Sequence, residues 1–264
     1  MALWDRIGSR GNVRDVRGSR STLALGGGIT GLIITAAILL LSGQSGSQVL
    51  ETILGQALQT TTSQPAPFED SKDYKNFAEK VLGSTNEYWA GIYGARGQTY
   101  SPPTLVLYRD ATQTGCGVGS SQVGPFYCPV DQTIYLDETF FDGIQQQLNA
   151  NTGDVAQAYV IAHEVGHHVQ NLEDTLNQTT DPIKLELQAD CYAGTWSNSI
   201  SGIFENEDEI NEALGLASAI GDDRIQQKTQ GQVNPETWTH GSSEQRVQWF
   251  KTGFASGDPT VCTP

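Results

Sequence analysis

The sequence is poor in basic residues. Its 264 residues include 15 Lys and Arg against 30 Asp and Glu, a formal net charge of −15. Five of the arginines fall in residues 1–20 beside only two aspartates, so the rest of the chain is more acidic still. A surface of that charge repels nucleic acid and anionic lipid headgroups. Nucleic-acid binding is therefore excluded, and the sequence also lacks a phosphate-binding glycine loop and internal repeats.

Long hydrophobic runs are scarce too, with one exception. Residues 23–41 carry no charge, and as a helix they would span about 28 Å, close to the roughly 30 Å hydrocarbon thickness of a bilayer. A cleaved signal peptide is the alternative, but it normally has a shorter apolar core and a small-residue cleavage site, which residues 42–46 do not offer. Arginines before the run predict a cytoplasmic N-terminus. We therefore expect a single-pass cell-membrane anchor, followed by an extracytoplasmic domain.

These features divide the chain into four predicted parts. They are a cytoplasmic basic segment (1–22), a transmembrane anchor (23–42), a linker (43–68) and an extracytoplasmic domain (69–264). The linker is rich in Gln, Ser and Thr, a composition typical of tethers. Within the domain, periodicity predicts a helix over 73–89 and short strands at 104–108 and 133–137. The expected fold class is α+β.

Cysteine is rare, and all four copies follow the predicted anchor. An even number of cysteines outside the cytoplasm predicts disulfides, and four cysteines allow three connectivities. Cys116 and Cys128 flank a glycine-rich loop. The most local pairing is therefore Cys116 with Cys128 and Cys191 with Cys262. Free buried thiols are the alternative, and the spacing matches no zinc knuckle.

Histidine is equally rare, and three of its four copies, His163, His167 and His168, lie within six residues. The first two form His-Glu-x-x-His after an apolar run that predicts a buried helix, with Asp154 as its N-cap. Histidines four apart share one helix face, so both can reach a single zinc ion. Glu164 is one step round the helix, placed to act as a base on water. The alternative is a surface helix with merely polar histidines, which the apolar run disfavours.

A second predicted helix supplies a third ligand. Asp181 followed by Pro182 marks the start of this helix. Glu186 and Asp190, four apart, share one of its faces. Glu186 completes the His₂Glu set of a catalytic site holding one zinc per chain, and Asp190 accepts the second ring N–H of a ligand histidine. An ordinary solvated carboxylate pair is the alternative, and the alanines beside it argue for close packing instead.

The two motifs together, H-E-x-x-H and then E-x-x-x-D, resemble the gluzincin pattern. The chain is more closely similar to the bacterial family of putative neutral zinc metallopeptidases, which are single-pass membrane proteins. The similarity covers nearly the whole chain and is carried by residues 124–129, 134–137, 156–171, 186–191 and 240–243. Asn12, Val13 and Asp15 also match the start of that family, whereas Arg14 and Val16 depart from its pattern without touching the chemistry.

The resemblance implies a zincin-like metallopeptidase domain with an active-site helix, a second ligand helix and a small sheet. One strand would lie beside the zinc and pair with an extended substrate, and we expect residues 133–137 to do so. The pattern also resembles the gluzincins of the prenyl-protein protease type, in which a histidine is followed by an arginine six residues later. That resemblance implies that His240 is an oxyanion donor and that Arg246 orients a carboxylate near the zinc. Ser242 and Gln245 predict a capping box for the helix that carries Arg246. A surface-loop histidine is the alternative at position 240.

The predicted function is that of a membrane-anchored zinc endopeptidase. Its partners would be a peptide or protein substrate and, through the N-terminal helix, the membrane. Glu164 serves as general base in this interpretation. One alternative is a non-catalytic, zinc-stabilised scaffold or binding protein of membrane proteases. Glu164 argues against it, because a structural zinc site closes its fourth position with a protein ligand. A second alternative is a zinc hydrolase of non-peptide amides, which would use the same residues.

Overall fold

The computed structural model describes residues 3–18, 73–204 and 207–264. In these residues the chain forms a mixed α+β domain with two small sheets and eight α-helices. The strands are β1 (Val13–Asp15), β2 (Thr104–Leu107), β3 (Ala111–Thr114), β4 (Gly117–Ser120), β5 (Phe126–Cys128) and β6 (Thr133–Leu136). The helices are α1 (Tyr74–Ala95), α2 (Thr139–Leu148), α3 (Asp154–Leu172), α4 (Thr175–Gln178), α5 (Pro182–Ser199), α6 (Glu207–Ala219), α7 (Asp222–Gln230) and α8 (Ser243–Ser256).

The larger sheet has four strands in the order β1-β2-β6-β5. β1 and β6 both run parallel to β2, whereas β5 pairs antiparallel with β6. The predicted strands at 104–108 and 133–137 are confirmed as β2 and β6. However, β6 has a neighbour on each side, so its backbone groups are already used. The expectation that residues 133–137 pair with a substrate is therefore wrong, and the edges of this sheet are β5 on the side of β6 and β1 on the side of β2.

Residues 3–18 are part of the domain. β1 pairs with β2, residue for residue from Val13 opposite Leu105. Trp4 is buried, and its Nε1 donates to Asp154 Oδ2 at 2.9 Å. The Arg17 side chain is fully buried and binds Glu138 Oε1 at 2.6 Å. The prediction that residues 1–22 form a separate segment is therefore wrong for residues 3–18, which complete the sheet.

This sheet constrains the predicted membrane topology. The predicted anchor at 23–42 and linker at 43–68 lie outside the described residues. Within those residues, no helix is both long enough and apolar enough to cross a bilayer. A single crossing between residues 18 and 73 would hold β1 and β2 on opposite sides of a membrane. The expected orientation, with the N-terminus inside and the domain outside, stays a prediction, and the pairing of β1 with β2 argues that residues 3–18 lie on the same side as the domain.

The helices pack around α3, whose apolar residues make it the centre of the core. α5 packs against α3, and α8 packs against α5 at very short range. Gly194 and Gly253 permit this approach, since a Cβ on Gly253 would lie 2.0 Å from the carbonyl oxygen of Cys191. A Cβ on Gly194 would lie 2.2 Å from the carbonyl oxygen of Phe250. This close approach brings the start of α8 to the ligand-bearing turn of α5.

Most predicted helix boundaries are confirmed. Asp181 caps α5 by accepting from the backbone N–H of Ile183, and Ser242 forms the predicted capping box with Gln245 at the start of α8. Asp154 is the first residue of α3 rather than its N-cap, which is Gly153. The predicted helix over 73–89 extends to Ala95.

Both disulfides have the predicted pairing. Cys116 is bonded to Cys128, which attaches the β3–β4 hairpin to the edge strand β5. Cys191 is bonded to Cys262 across 71 residues, which fastens the C-terminus to α5. No described cysteine is free.

Candidate metal centre

The three predicted metal ligands lie together at the junction of two helices. His163 and His167 project from α3, and Glu186 projects from α5. His163 Nε2 is 3.1 Å from His167 Nε2 and 3.2 Å from Glu186 Oε2, and His167 Nε2 is 3.4 Å from Glu186 Oε1. The ligand atoms all lie within 4.8 Å of one another, the one such group of histidine, cysteine and carboxylate side chains in the described ranges.

The far side of each imidazole is held by an acceptor. His163 Nδ1 lies 2.9 Å from Asp190 Oδ1, and His167 Nδ1 lies 2.9 Å from Gln170 Oε1. Because these oxygens can only accept, each Nδ1 carries a proton, and each Nε2 is the ring nitrogen left to bind a metal in place of a proton. Two Nε2 atoms and a carboxylate therefore converge on one point, an arrangement that a metal cation satisfies.

Charge at the site favours a cation. Burial opposes the charged form of His163, but Asp190 and Glu186 outweigh it and raise its pKa to about 10. Burial likewise opposes ionisation of Glu186, yet His167 and His163 hold its pKa well below the ordinary range. Two histidines and one glutamate are the donor set of many catalytic zinc sites. The residues present thus fit zinc.

Behind the ligands is a buried polar cluster centred on Asp190. Arg246 Nε donates to Asp190 Oδ2 at 2.8 Å, and Arg246 Nη2 donates to Asp190 Oδ1 at 3.0 Å. Tyr159 Oη donates to Asp190 Oδ1 at 2.5 Å. Burial opposes ionisation of Asp190, but Arg246 and His163 lower its pKa below the usual value. Asp190 and Arg246 occupy the positions predicted for them, whereas Tyr159 could be identified beforehand only as part of an apolar helix face.

Gln170 is a second supporting residue that sequence reasoning missed. It is fully buried on α3. Its Nε2 donates to the carbonyl oxygen of Leu185 at 2.7 Å and to Gln188 Oε1 at 3.1 Å. Gln170 therefore orients His167 and joins the two ligand helices. Its spacing of three from His167, one turn of the same helix, is the signal that could have identified it.

Glu164 faces the same cleft as the ligands without joining them. It is buried, and it lines the cavity together with His163 and His167. Burial raises the pKa of Glu164, and the two histidines partly offset the effect. This placement agrees with the expected role of a base rather than of a ligand.

His240 also lines this cleft. Its side chain is 49% exposed, and its Nδ1 is 3.1 Å from Asp222 Oδ1. Asp222 Oδ2 accepts the backbone N–H groups of Thr239, His240 and Gly241 at 2.7, 2.7 and 3.2 Å. Asp222, the first residue of α7, thus fixes the loop and the ring together. Sequence reasoning missed it, because 18 residues separate it from His240.

The cleft has a volume of about 480 Å³ and mostly apolar walls. Its lining comes from β5, the loop before it and α2, from the ligand helices α3 and α5, and from Ile220, α7 and the His240 loop. The apolar lining residues include Val160, Phe140, Ile144, Ile220 and Ile225. β5 and the three predicted metal ligands therefore line the same cleft.

The described residues thus form an α+β domain in which two histidines and a glutamate that could hold a metal ion line a cleft. The family described as "Putative neutral zinc metallopeptidase" matches residues 2–264, and the chain belongs to this family. It is 42% identical to the "Uncharacterized protein YpfJ" of Escherichia coli K12 over 98% of this chain and 97% of that one. It is 45% identical to the "Uncharacterized protein Rv2575" of Mycobacterium tuberculosis H37Rv over 62% of each. No solved structure matches the chain.

Proposed function

We propose that the protein is a zinc-dependent endopeptidase. The observation that carries this proposal is the pairing of an oriented His₂Glu ligand set with a buried Glu164 at an open cleft. A purely structural zinc site would be closed by a fourth protein ligand. In the described residues no fourth His, Cys, Asp or Glu joins the group, which disfavours the scaffold alternative.

A few residues account for the proposed steps of peptide hydrolysis. Zinc held by His163, His167 and Glu186 would supply Lewis-acid activation of water and of the scissile carbonyl. Glu164 removes a proton from the attacking water and returns one to the leaving amine. A raised pKa suits this second duty, because the carboxyl must hold its proton before delivering it.

His240 is proposed as the donor to the oxyanion. Asp222 and Thr239 engage Nδ1 of the ring, which leaves Nε2 as the nitrogen that would donate to the developing negative charge. Because Asp222 holds both the loop and the imidazole, the ring does not have to change its orientation during the reaction. Arg246 also lines the cleft, with its Nη2 3.9 Å from Glu186 Oε2; in this scheme it fixes Asp190, which fixes His163.

The edge strand β5 is proposed to align the substrate. An extended peptide can add to the open edge of a sheet through backbone hydrogen bonds. β5 lines the cleft at Phe126 and Tyr127 and has one neighbour, β6, among the described strands. Backbone pairing of this kind favours polypeptides over small amides, which supports the peptidase over the amidase interpretation.

The test is hydrolysis of a diverse peptide library by the purified full-length protein, read by mass spectrometry, beside metal analysis. The wild type should contain about one zinc per chain and cleave peptides. Glu164→Gln should keep the zinc and lose essentially all cleavage, whereas Glu186→Ala should lose zinc. Cleavage that persists in Glu164→Gln would contradict the assignment of the base. A wild type that hydrolyses only non-peptide amides would favour the amidase.

We also propose that the domain works outside the cytoplasm and that residues 3–18 lie there with it. Two disulfides favour an oxidising compartment. The N-terminal arginines serve the fold: Arg17 binds Asp15 and Glu138, and Arg10 Nη1 donates to Asn76 Oδ1 at 2.7 Å. They are therefore poor indicators of a cytoplasmic N-terminus.

Single cysteines test this location. Gly8 and Gly91 are exposed, and a Cβ on either would meet nothing within 4 Å. Gly8→Cys and Gly91→Cys should react equally with a membrane-impermeant maleimide on intact spheroplasts. Labelling of Gly91→Cys alone would place the two segments on opposite sides. Protection of both would place the domain in the cytoplasm.

A further inference from the structure

The third histidine of the cluster, His168, takes no part in the metal centre. It is fully buried, one step round α3 from the ligand His167, and its ring lies against the sheet. Its Nδ1 is 3.0 Å from Tyr127 Oη, and its Nε2 is 2.6 Å from the carbonyl oxygen of Ser101. His168 thus joins the metal helix to the edge strand and to the loop before β2.

The direction of these hydrogen bonds is fixed. A carbonyl oxygen only accepts, so His168 Nε2 carries the proton and donates to Ser101. The Nδ1 of a neutral ring then accepts from the Tyr127 hydroxyl. Tyr127 Oη in turn accepts from Asn171 Nδ2 at 2.9 Å. Every polar group in this chain of contacts has a partner, and such satisfied buried networks hold their members in one geometry.

Tyr127 is the middle residue of β5 and lines the cleft. Its neighbours in the strand are held from other directions: Phe126 stacks on Tyr135 at 5.2 Å, and Cys128 is bonded to Cys116. Neither of those contacts reaches the metal helix. The hydrogen bonds from Tyr127 to His168 and Asn171 therefore link the strand directly to α3, the helix that carries His163 and His167.

We propose that His168 and Tyr127 are positioning residues that set the distance and orientation of the open β5 edge relative to the metal ligands. The proposal rests on the proposed peptidase function, in which that edge aligns an extended substrate. Loosening the link would let β5 move away from the ligands. The KM of peptides long enough to lie along β5 would rise. The KM of substrates that reach only the residues beside the scissile bond would change far less.

The first test needs no catalysis. Tyr127→Phe keeps the ring and removes only the hydroxyl. Tyr135→Phe is the matched control, since that hydroxyl donates to Asp131 Oδ2 at 2.8 Å and does not contact α3. In full-length protein, hydrogen exchange of residues 126–128 should quicken about tenfold in Tyr127→Phe, the order of effect of one lost buried hydrogen bond. Exchange in β2 should stay unchanged. Unaltered exchange of β5 in Tyr127→Phe, or equal loosening in the control, would overturn the proposal.

The second test separates positioning from general damage. For an eight-residue peptide, Tyr127→Phe should raise KM about tenfold with kcat within a factor of two. The ratio of kcat/KM for the long peptide to that for a short blocked substrate should fall about tenfold. Zinc content should equal that of the wild type. A parallel fall for both substrates would make the contact merely structural. A wild type that cleaves neither would defeat the proposed function, while the exchange measurement would still decide the link.

Discussion

The two sides of the metal centre are built differently. Behind the ligands, Asp190 and Arg246 are almost fully buried, with side chains 0% and 3% exposed. Facing the cleft, Asp222 and His240 form a carboxylate–histidine pair whose histidine is 49% exposed. A buried charge without its partner is costly, whereas an exposed one is solvated by water. The rear pair should therefore govern folding and metal binding, and the front pair should govern turnover.

The largest effect should come from breaking the rear pair. Arg246→Met leaves the Asp190 carboxylate buried and without its main partner, which should lower the free energy of unfolding by about 3–5 kcal/mol. Zinc binding should weaken with it. Urea unfolding of the metal-free protein measures this. The double variant Arg246→Met with Asp190→Asn should recover part of the loss, because it removes the uncompensated charge. A change below about 1 kcal/mol would show that the pair is not needed for stability.

Removing the front histidine should affect only the reaction. His240→Ala should keep zinc and stability and lower kcat by roughly 10²–10³, the loss of one oxyanion donor. Steady-state kinetics beside metal analysis will measure this. Turnover at the wild-type rate would exclude His240 as the donor. Neither nearby tyrosine is a ready substitute, since the Tyr127 hydroxyl donates to His168 and the Tyr135 hydroxyl donates to Asp131.

A smaller effect is expected at Gln170, on the rear side. Gln170→Ala removes the acceptor for His167 Nδ1–H and should weaken zinc affinity about 10–100-fold, as for other residues that orient a metal ligand. Competition with a zinc chelator measures the affinity. Gln157→Ala is a suitable control, because its Nε2 donates to the carbonyl oxygen of Thr152, away from the ligands. Equal affinity in both variants would mean that His167 needs no second partner.

The smallest effect should follow from loosening the front pair. Asp222→Asn keeps the size of the side chain and still accepts backbone N–H groups through its oxygen, but it weakens the hold on His240. We expect kcat to fall about tenfold, the worth of about 1.4 kcal/mol of transition-state stabilisation, with zinc binding unchanged. In a His240→Ala background the same substitution should have no further effect on kcat. Additive losses would mean that Asp222 acts independently of His240.

The ligand set could be predicted because it depends on local spacing. Residues four apart on a helix share a face whatever the rest of the fold does, so His163 with His167 and Glu186 with Asp190 were fixed by sequence alone. Helix starts could also be predicted from neighbouring residues, as the confirmed caps at Asp181 and Ser242 show. The disulfide pairing was predicted from the choice that closes the shortest loops.

The remaining features depend on contacts between distant residues. β1 has three residues, too few for a periodic pattern, and it pairs with β2 about 90 positions later. The place of β6 between β2 and β5 is a property of sheet order, to which the residues of β6 give no clue. Asp222 reaches His240 only because α7 and the loop before α8 meet.

Because β1 completes the sheet, residues 3–18 should stay bound to the rest of the domain even without a covalent connection. A cut anywhere between residues 19 and 72 would leave residues 3–18 attached by the β1–β2 pairing and by Trp4 and Arg17. Conversely, a recombinant fragment beginning at residue 69 would expose the edge of β2 and leave Glu138 without Arg17. A synthetic peptide of residues 3–18 should then bind such a fragment and restore it. The chain order of this domain thus predicts fragment complementation between residues 3–18 and the rest of the domain.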